Sequence, residues 1–488
     1  MFAVLAAVAL FAITPWGLGL TPDSMSYMRS ARAIAEHGDF GALPTHWPPL
    51  YPLLLAAGSF VYGEIGMGAR ALQGILLALN ILLLAMLSWR LLDAPSRAAS
   101  ATVFAFILLL ALQPNLWVVH LRLWSEPAFL VMCLANLLAM ERALRGPAPW
   151  RWLAVAALLT GVAVLVRYAG LFLIATNVLA ILGLTASSSL RDRLAKSMFV
   201  SAGGVVPMLA WVAFNQLRGA GAEVRSLAYH PVSESHIRQA LDTVSSWLSL
   251  GSGLGWVVML LLLLVTLIPW FPRLHIRDSL IAARLLSIYT LSYAAFILLS
   301  ISLADAHTPL DARILVPIFP SAFLLALHAF WSISGKKARA RGLLLFAVLL
   351  LLNLRSSYAL WETSFRDGTG FGSRVVQEMP AVEFIRSLPA AWSASTNTPE
   401  VFQLHLEQQA TMFPRSTDPE TRTANPEYEE ELTKMASRAD LMVYFGLGGY
   451  RWYLPSIEEL SAVDGFTLVY AQSDAAIWVR AEHFRRAD

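Results

Sequence analysis

The sequence is poor in charge, in cysteine and in basic clusters. Of its 488 residues only 14% are Asp, Glu, Lys or Arg, where a soluble domain carries about a quarter. Much of the surface therefore does not face water. One cysteine, Cys133, sits in an apolar run. It excludes an intramolecular disulfide and any paired-cysteine metal or redox motif, and reads as a small buried hydrophobe. The net charge is only +3, and the basic residues form no stripe, which excludes a nucleic-acid partner. The first apolar stretch, Met1 to Leu20, has neither a positive leader nor a small-residue cleavage site. It reads as a retained first span.

What the chain has instead is apolar length: 57% of it is hydrophobic. A spanning helix needs about 20 mainly apolar residues, and about eleven such segments can be marked. They begin near Phe2, Gly66, Ala99, Glu126, Trp152, Ala169, Met198, Leu254, Leu280, Ile314 and Gly342. Short loops rich in Arg and Lys alternate with longer mixed ones, and the positive-inside rule places the basic loops in the cytoplasm. Thr21 to Ile65, Val118 to Ser125, Leu217 to Gly253 and Ser302 to Arg313 then face outward.

Beyond about Tyr358 the composition turns soluble. Glu378 to Leu388 reads as an amphipathic helix, Leu441 to Phe445, Phe466 to Ala471 and Ala475 to Val479 as strands, and Asp418 to Glu431 as an acidic loop. The expected architecture is a polytopic α-helical membrane domain over 1–358 and a small extracytoplasmic α/β domain over 359–488, in the plasma (inner) membrane.

The first outer loop holds the densest polar pattern. Thr21 is a natural N-cap, Pro22 suits the first helical position, and Asp23 falls in the first turn, where the helix dipole favours a carboxylate. Tyr27 follows one turn later on the same face. After Gly38 come His46, Trp47 and the pair Pro48-Pro49, read as an extended turn that re-enters the membrane surface. Helix capping alone accounts for Asp23 as well as chemistry does.

The run Pro22-Asp23-Ser24-Met25-Ser26-Tyr27, then Ala31-Arg32, then Trp47-Pro48-Pro49-Leu50-Tyr51-Pro52-Leu53-Leu54-Leu55 resembles the lipid-linked-sugar glycosyltransferases of the GT-C fold. These include protein mannosyltransferases, the aminoarabinose transferase of lipid A and rhizobial galacturonosyltransferases. Ser125-Glu126-Pro127, Arg313-Ile314-Leu315-Val316-Pro317 and Ala381 to Arg386 with Pro389 and Ser395-Thr396-Asn397 extend the likeness. Two positions depart from it. Ser24 stands where many members carry a second acid, and Trp47 stands directly before Pro-Pro in place of His or Lys, with His46 one position earlier.

The resemblance implies inverting transfer of a sugar from a polyprenyl phosphate to a glycan, lipid or protein acceptor. It makes Asp23 the base. Glu126, at the outer end of a span, is the second catalytic candidate. The leaving phosphate needs cations, for which Arg313 and Arg167 come first and Arg122 third; Tyr27, His46 and Trp47 join them on the donor side. His120, Asp305, His307 and Asp311 are candidates for orienting these groups or meeting the acceptor. A divalent ion held by Asp305, His307 and Asp311 stays open, with no cofactor otherwise implied. His230 and His236 read as surface residues. Two other functions compete: a transporter or flippase of the lipid-linked sugar, and a lipid-binding partner that keeps the fold without chemistry.

Overall fold

A computed structural model describes residues 1–92, 96–146, 148–185, 188–219, 229–249, 251–271, 280–333, 336–419, 421–447 and 451–485. Its first two thirds are helical: α1 (Phe2–Ile13), α2 (Pro22–His37), α3 (Leu50–Tyr62), α4 (Ile65–Leu92), α5 (Arg97–Ala111), α6 (Pro114–His120), α7 (Glu126–Arg145), α8 (Pro149–Val166), α9 (Phe172–Leu184), α10 (Leu190–Leu217), α11 (Glu234–Ser246), α12 (Gly255–Leu267), α13 (Leu280–Leu303), α14 (Ala312–Leu315), α15 (Ile318–Ile333) and α16 (Lys336–Arg366).

Among the described residues six helices are long and apolar enough to cross a membrane, or seven if α5 and α6, bent by 53°, count as one span. Every apolar segment marked in the sequence is helical. Five of them, in α1, α5, α9, α12 and α15, form helices of fewer than 18 residues, and α5 reaches spanning length only together with α6. Gln113 and Pro114 explain the bend: proline cannot continue the ladder behind it and starts a new helix instead. Arg273 and Arg277 lie outside the described residues.

Small residues set a close helix crossing. A side chain at Gly161 of α8 would fall 2.5 Å from the Gly203 carbonyl of α10, and one at Gly203 the same distance from the Ala157 carbonyl. Backbones that approach this closely associate through packing, as helices in lipid must.

Pro48-Pro49 does more than turn the chain. It leads into α3, an apolar helix that packs on α2 and α4 inside the stretch read as a loop. Pro49 adopts helical angles itself, so the two prolines act as a rigid helix start.

The C-terminal region carries a five-stranded sheet of order β2-β1-β3-β5-β4, with β1 (Ala394–Thr396), β2 (Ala410–Met412), β3 (Leu441–Phe445), β4 (Phe466–Ala471) and β5 (Ala475–Arg480). β1 runs parallel to β2 and β3, and β5 pairs antiparallel with β3 and β4. The three strands read from sequence are present; β1 and β2 were not read. The expected helix over Glu378 to Leu388 begins at Pro380 and ends at Arg386. Glu429, Glu430 and Glu431 form the first turn of a helix, Tyr428–Arg438, where three carboxylates suit the dipole.

The sheet region is tied to the membrane region at the start of α2. Leu20 forms a β-bridge with Gly370, and Phe371 N–H donates to the Leu20 carbonyl at 3.0 Å. Gly370 has φ +68°, and a Cβ there would meet the Leu20 oxygen at 2.1 Å. Glycine is required on both counts.

Candidate active site

Four chain segments converge at one end of the bundle. The N-terminus of α2 brings Asp23; the stretch before α7 brings Arg122, Trp124, Ser125 and Glu126; the break between α8 and α9 brings Arg167; and α14 brings Arg313.

Local folding aims each group. Thr21 and Ser24 form a reciprocal capping box that starts α2. The Ser24 hydroxyl also donates to the Leu123 carbonyl at 3.0 Å, and the side chain is fully buried. This settles the physical role of the residue where the family pattern has an acid: Ser24 fastens α2 to the segment before α7. The same segment is held by an exchange with Gly19, Gly19 N–H to the Leu121 carbonyl at 2.8 Å and Leu123 N–H to the Gly19 carbonyl at 3.0 Å. Gln73, buried in α4, donates to the carbonyls of Arg122 at 3.2 Å and Trp124 at 2.9 Å and to the Tyr51 hydroxyl at 3.0 Å. Arg167 has extended backbone angles (φ −151°, ψ 135°) that end α8.

Arg313 is the hub. Its Nη2 donates to Asp23 Oδ2 and its Nε to Glu126 Oε1, so one guanidinium bridges both carboxylates. Arg167 Nη1 lies 2.6 Å from the same Glu126 oxygen and donates to Ser125 Oγ at 3.0 Å. Glu126 is almost wholly buried, at 2% exposure, and among the described residues its other oxygen, Oε2, has no hydrogen-bond partner. Burial works against the Arg313 charge, but Glu126 and then Asp23 more than offset it and raise its pKa.

Arg122 differs from both. Among the described residues no carboxylate lies within ion-pair distance of it. Burial lowers its pKa, and Asp311 only partly compensates. Its guanidinium lies 4.7 Å over the Trp124 ring, and that of Arg313 lies 4.9 Å over the same ring. Trp124 Nε1 is anchored on Thr21 Oγ1 at 3.0 Å.

Tyr27 is buried one turn below Asp23, edge-on to Trp47 at 5.8 Å and to Tyr51 at 5.1 Å, and His46 stacks edge-on against Trp47 at 4.8 Å. Burial, then the Asp23 charge, raise the Tyr27 pKa. Tyr27 is a neutral phenol at neutral pH.

The remaining sequence candidates part company. Asp311 caps α14 through the N–H groups of Arg313 (3.0 Å) and Ile314 (3.1 Å), so it orients the hub. Burial raises its pKa. His120 is fully buried, with Nε2 on Asn80 at 3.2 Å and Nδ1 on the Leu116 carbonyl at 2.7 Å. Asn80 in turn donates to the Pro127 carbonyl at 3.1 Å, which supports the start of α7. Asp305 accepts from the His307 N–H at 3.0 Å, and the His307 ring packs near Trp452 and Tyr453 of the sheet region. Asp305, His307 and Asp311 thus serve three different local tasks, and no group of three His, Cys, Asp or Glu able to hold a metal occurs among the described residues. His236 is a buried member of the α11 capping box, with Ser233, rather than a surface residue.

The sequence reading missed Gln73, Ser125 and the anchoring by Thr21. A glutamine inside an apolar span was the available signal for the first.

No protein-family model and no curated protein sequence matches the chain. Its fold does have solved counterparts. ArnT from Cupriavidus metallidurans superposes at TM-score 0.59 with 16% identity in the apo state, covering 98% of this chain and 96% of that one. The same protein bound to undecaprenyl phosphate gives TM-score 0.59 and 15% identity over 98% and 97%. Archaeal oligosaccharyltransferase AglB from Archaeoglobus fulgidus, in complex with an inhibitory peptide and a dolichol-phosphate, gives TM-score 0.57 at 12% identity over 91% of this chain and 69% of that one. The chain has the GT-C fold of these glycosyltransferases and is a multi-pass membrane protein.

Proposed function

We propose that the protein is an inverting glycosyltransferase of the plasma (inner) membrane. It moves a sugar from a polyprenyl phosphate to a glycan, lipid or protein acceptor on the extracytoplasmic side. The observation that carries the reading is the meeting of Asp23 and Glu126 with the guanidiniums of Arg313 and Arg167, with that of Arg122 beside them over the Trp124 ring it shares with Arg313, drawn from four segments of an ArnT-like fold.

The acceptor hydroxyl attacks the anomeric carbon, its proton passes to Asp23, and the bond from that carbon to the phosphate oxygen breaks with its electron pair on the phosphate. Arg122, desolvated and without a carboxylate partner among the described residues, offers the first cation for that phosphate. Arg313 offers the second, and its transfer to the phosphate weakens its hold on Asp23. The carboxylate then becomes a better base only when donor is present. Arg167 stays with Glu126 and balances its charge. Tyr27, Trp47 and His46 supply aromatic surface beside the donor. His120, Asp305, His307 and Asp311 act through their neighbours.

Asp23→Asn keeps the size of the side chain and its place in the first turn, and removes the base. In proteoliposomes supplied with polyprenyl-phosphate sugar, turnover should fall on the order of 10²–10⁴-fold while undecaprenyl phosphate still binds. An Asn variant with full turnover would overturn the assignment. Mass spectrometry of surface glycans and accumulated lipid-linked sugars in a deletion strain identifies donor and acceptor.

A further inference from the structure

A second cleft opens on the other face of α2. Met28, Arg29 and Arg32 point away from Tyr27, and across from them stands the segment that joins β1 to β2, carrying Gln403, Glu407 and Gln408. The space between is about 460 Å³, within the range of small-molecule sites. It plays no part in the charge cluster described above.

Arg29 and Arg32 lie three residues apart, hence on one helical face. Their existing partners are weak. Arg29 Nη2 reaches Gln403 Oε1 at 3.5 Å, and Arg32 lies 3.8 Å from Glu36 with both side chains more than half exposed. The opposite wall is held in a costly shape. Phe402–Leu406 is a π-helical turn, and Glu407 behind it has φ +53°, a left-handed conformation that a non-glycine residue rarely adopts. Such turns and such backbone outliers gather at functional sites. The wall is fixed from behind by His405 Nε2 with the Phe371 carbonyl at 2.7 Å and by Arg386 Nη2 donating to the His405 carbonyl at 3.1 Å.

The lining chemistry specifies a class of ligand. The lining itself carries two guanidiniums and one carboxylate, Glu407, a positive balance that Glu36, outside the lining and 3.8 Å from Arg32, offsets only through a solvent-exposed pair. The side-chain amides and Glu407 suit hydroxyl groups as donors and acceptors, and the methionines offer an adaptable apolar floor. We propose that this cleft is an acceptor subsite for a glycan bearing an anionic group, carboxylate or phosphate. The word acceptor rests on the transferase reading. Six residues of α2 separate Arg29 from Asp23, about 9 Å of helix rise, so a bound oligosaccharide would run along α2 toward the catalytic edge.

The test uses the full-length protein in lipid nanodiscs and isothermal titration with three probes: a trigalacturonate, the neutral trisaccharide maltotriose, and inorganic phosphate. Trigalacturonate should bind at least tenfold tighter than maltotriose, and that preference should shrink as salt screens it. Arg29→Gln with Arg32→Gln should abolish the preference, and the paired Lys variant should keep part of it. Undecaprenyl phosphate binding and thermal unfolding should be unchanged in both. Phosphate that displaces trigalacturonate supports a site for either anion; phosphate that does not supports one for carboxylates. Equal affinity for the acidic and neutral sugars, or an unchanged preference in the Gln variant, overturns the proposal. If the transferase reading alone fails, the acidic preference persists while no acceptor is modified.

Discussion

Replacing Arg313 by Met tests whether that residue organises the site. The substitution keeps an unbranched side chain of similar length and removes the fork. Asp23 then has no cation within ion-pair distance among the described residues, and Glu126 keeps only Arg167. Asp23 is one-fifth exposed and stays partly hydrated, whereas Glu126 at 2% exposure is not. Breaking a buried ion pair from one side costs roughly 3–5 kcal/mol. The surviving Arg167 contact and the hydration of Asp23 pull the expected loss to the low end, about 3 kcal/mol. Glu126→Gln removes the buried charge but leaves Arg313 on Asp23, and should cost less, about 1–3 kcal/mol. The double variant decides the matter. With Arg313 and the Glu126 charge both gone, no buried carboxylate is left short of its partner, so the double variant should be more stable than the sum of the singles by about 1–3 kcal/mol. The assay is thermal unfolding of the four proteins in one detergent. Additivity within about 0.5 kcal/mol, or an Arg313→Met protein that melts like the parent, would refute the reasoning.

Three further outcomes follow from particular contacts. Ser24→Asp restores the acid of the family pattern, but it sets a buried carboxylate against the Leu123 carbonyl; detergent-purified protein should unfold at lower temperature with no gain in turnover. Gly370→Ala combines a left-handed backbone with a 2.1 Å approach to Leu20. It should cost at least about 1–2 kcal/mol and expose the 367–373 segment to limited proteolysis. Asp440 is drawn below its ordinary 3.8: partial burial raises its pKa, and hydrogen bonds from Ser393 and His483 outweigh that. Its stabilisation is therefore present above the ordinary carboxylate range and lost as pH falls through the lower folded value; Asp440→Asn should lower the melting temperature at neutral pH, and the gap to the parent should narrow as the solution is acidified.

Sequence order picked out the members of the charge cluster because charges stand out where charge is scarce. Asp23, Glu126 and Arg313 each sit at the end of an apolar run, and the alternation of loops put all three on one side before any contact was known. The same logic placed Arg122 third. An arginine within a short polar break carries no mark of its burial, and only the structure shows it facing Trp124 without a carboxylate among the described residues. Ser24 gives no sign of its packing for a related reason: the sequence shows only a departure from the resembled pattern, while the fold shows its hydroxyl on a carbonyl 99 residues away. β3, β4 and β5, at five or six residues, carry enough pattern to be read, but β1 and β2 have three residues each and none. α3 was hidden by its own prolines, which signal a turn as readily as a helix start.

The bridge made by Arg313 has a consequence for how the protein is made. Asp23 emerges early from a growing chain, and the residue that neutralises it follows 290 positions later. Until then the cluster that Arg313 joins, Asp23 with Glu126, cannot form. The charge cluster therefore waits for one of the last parts of the membrane region to be made. A polypeptide halted before α14 has most of its apolar segments in place and lacks the guanidinium that joins Asp23 to Glu126.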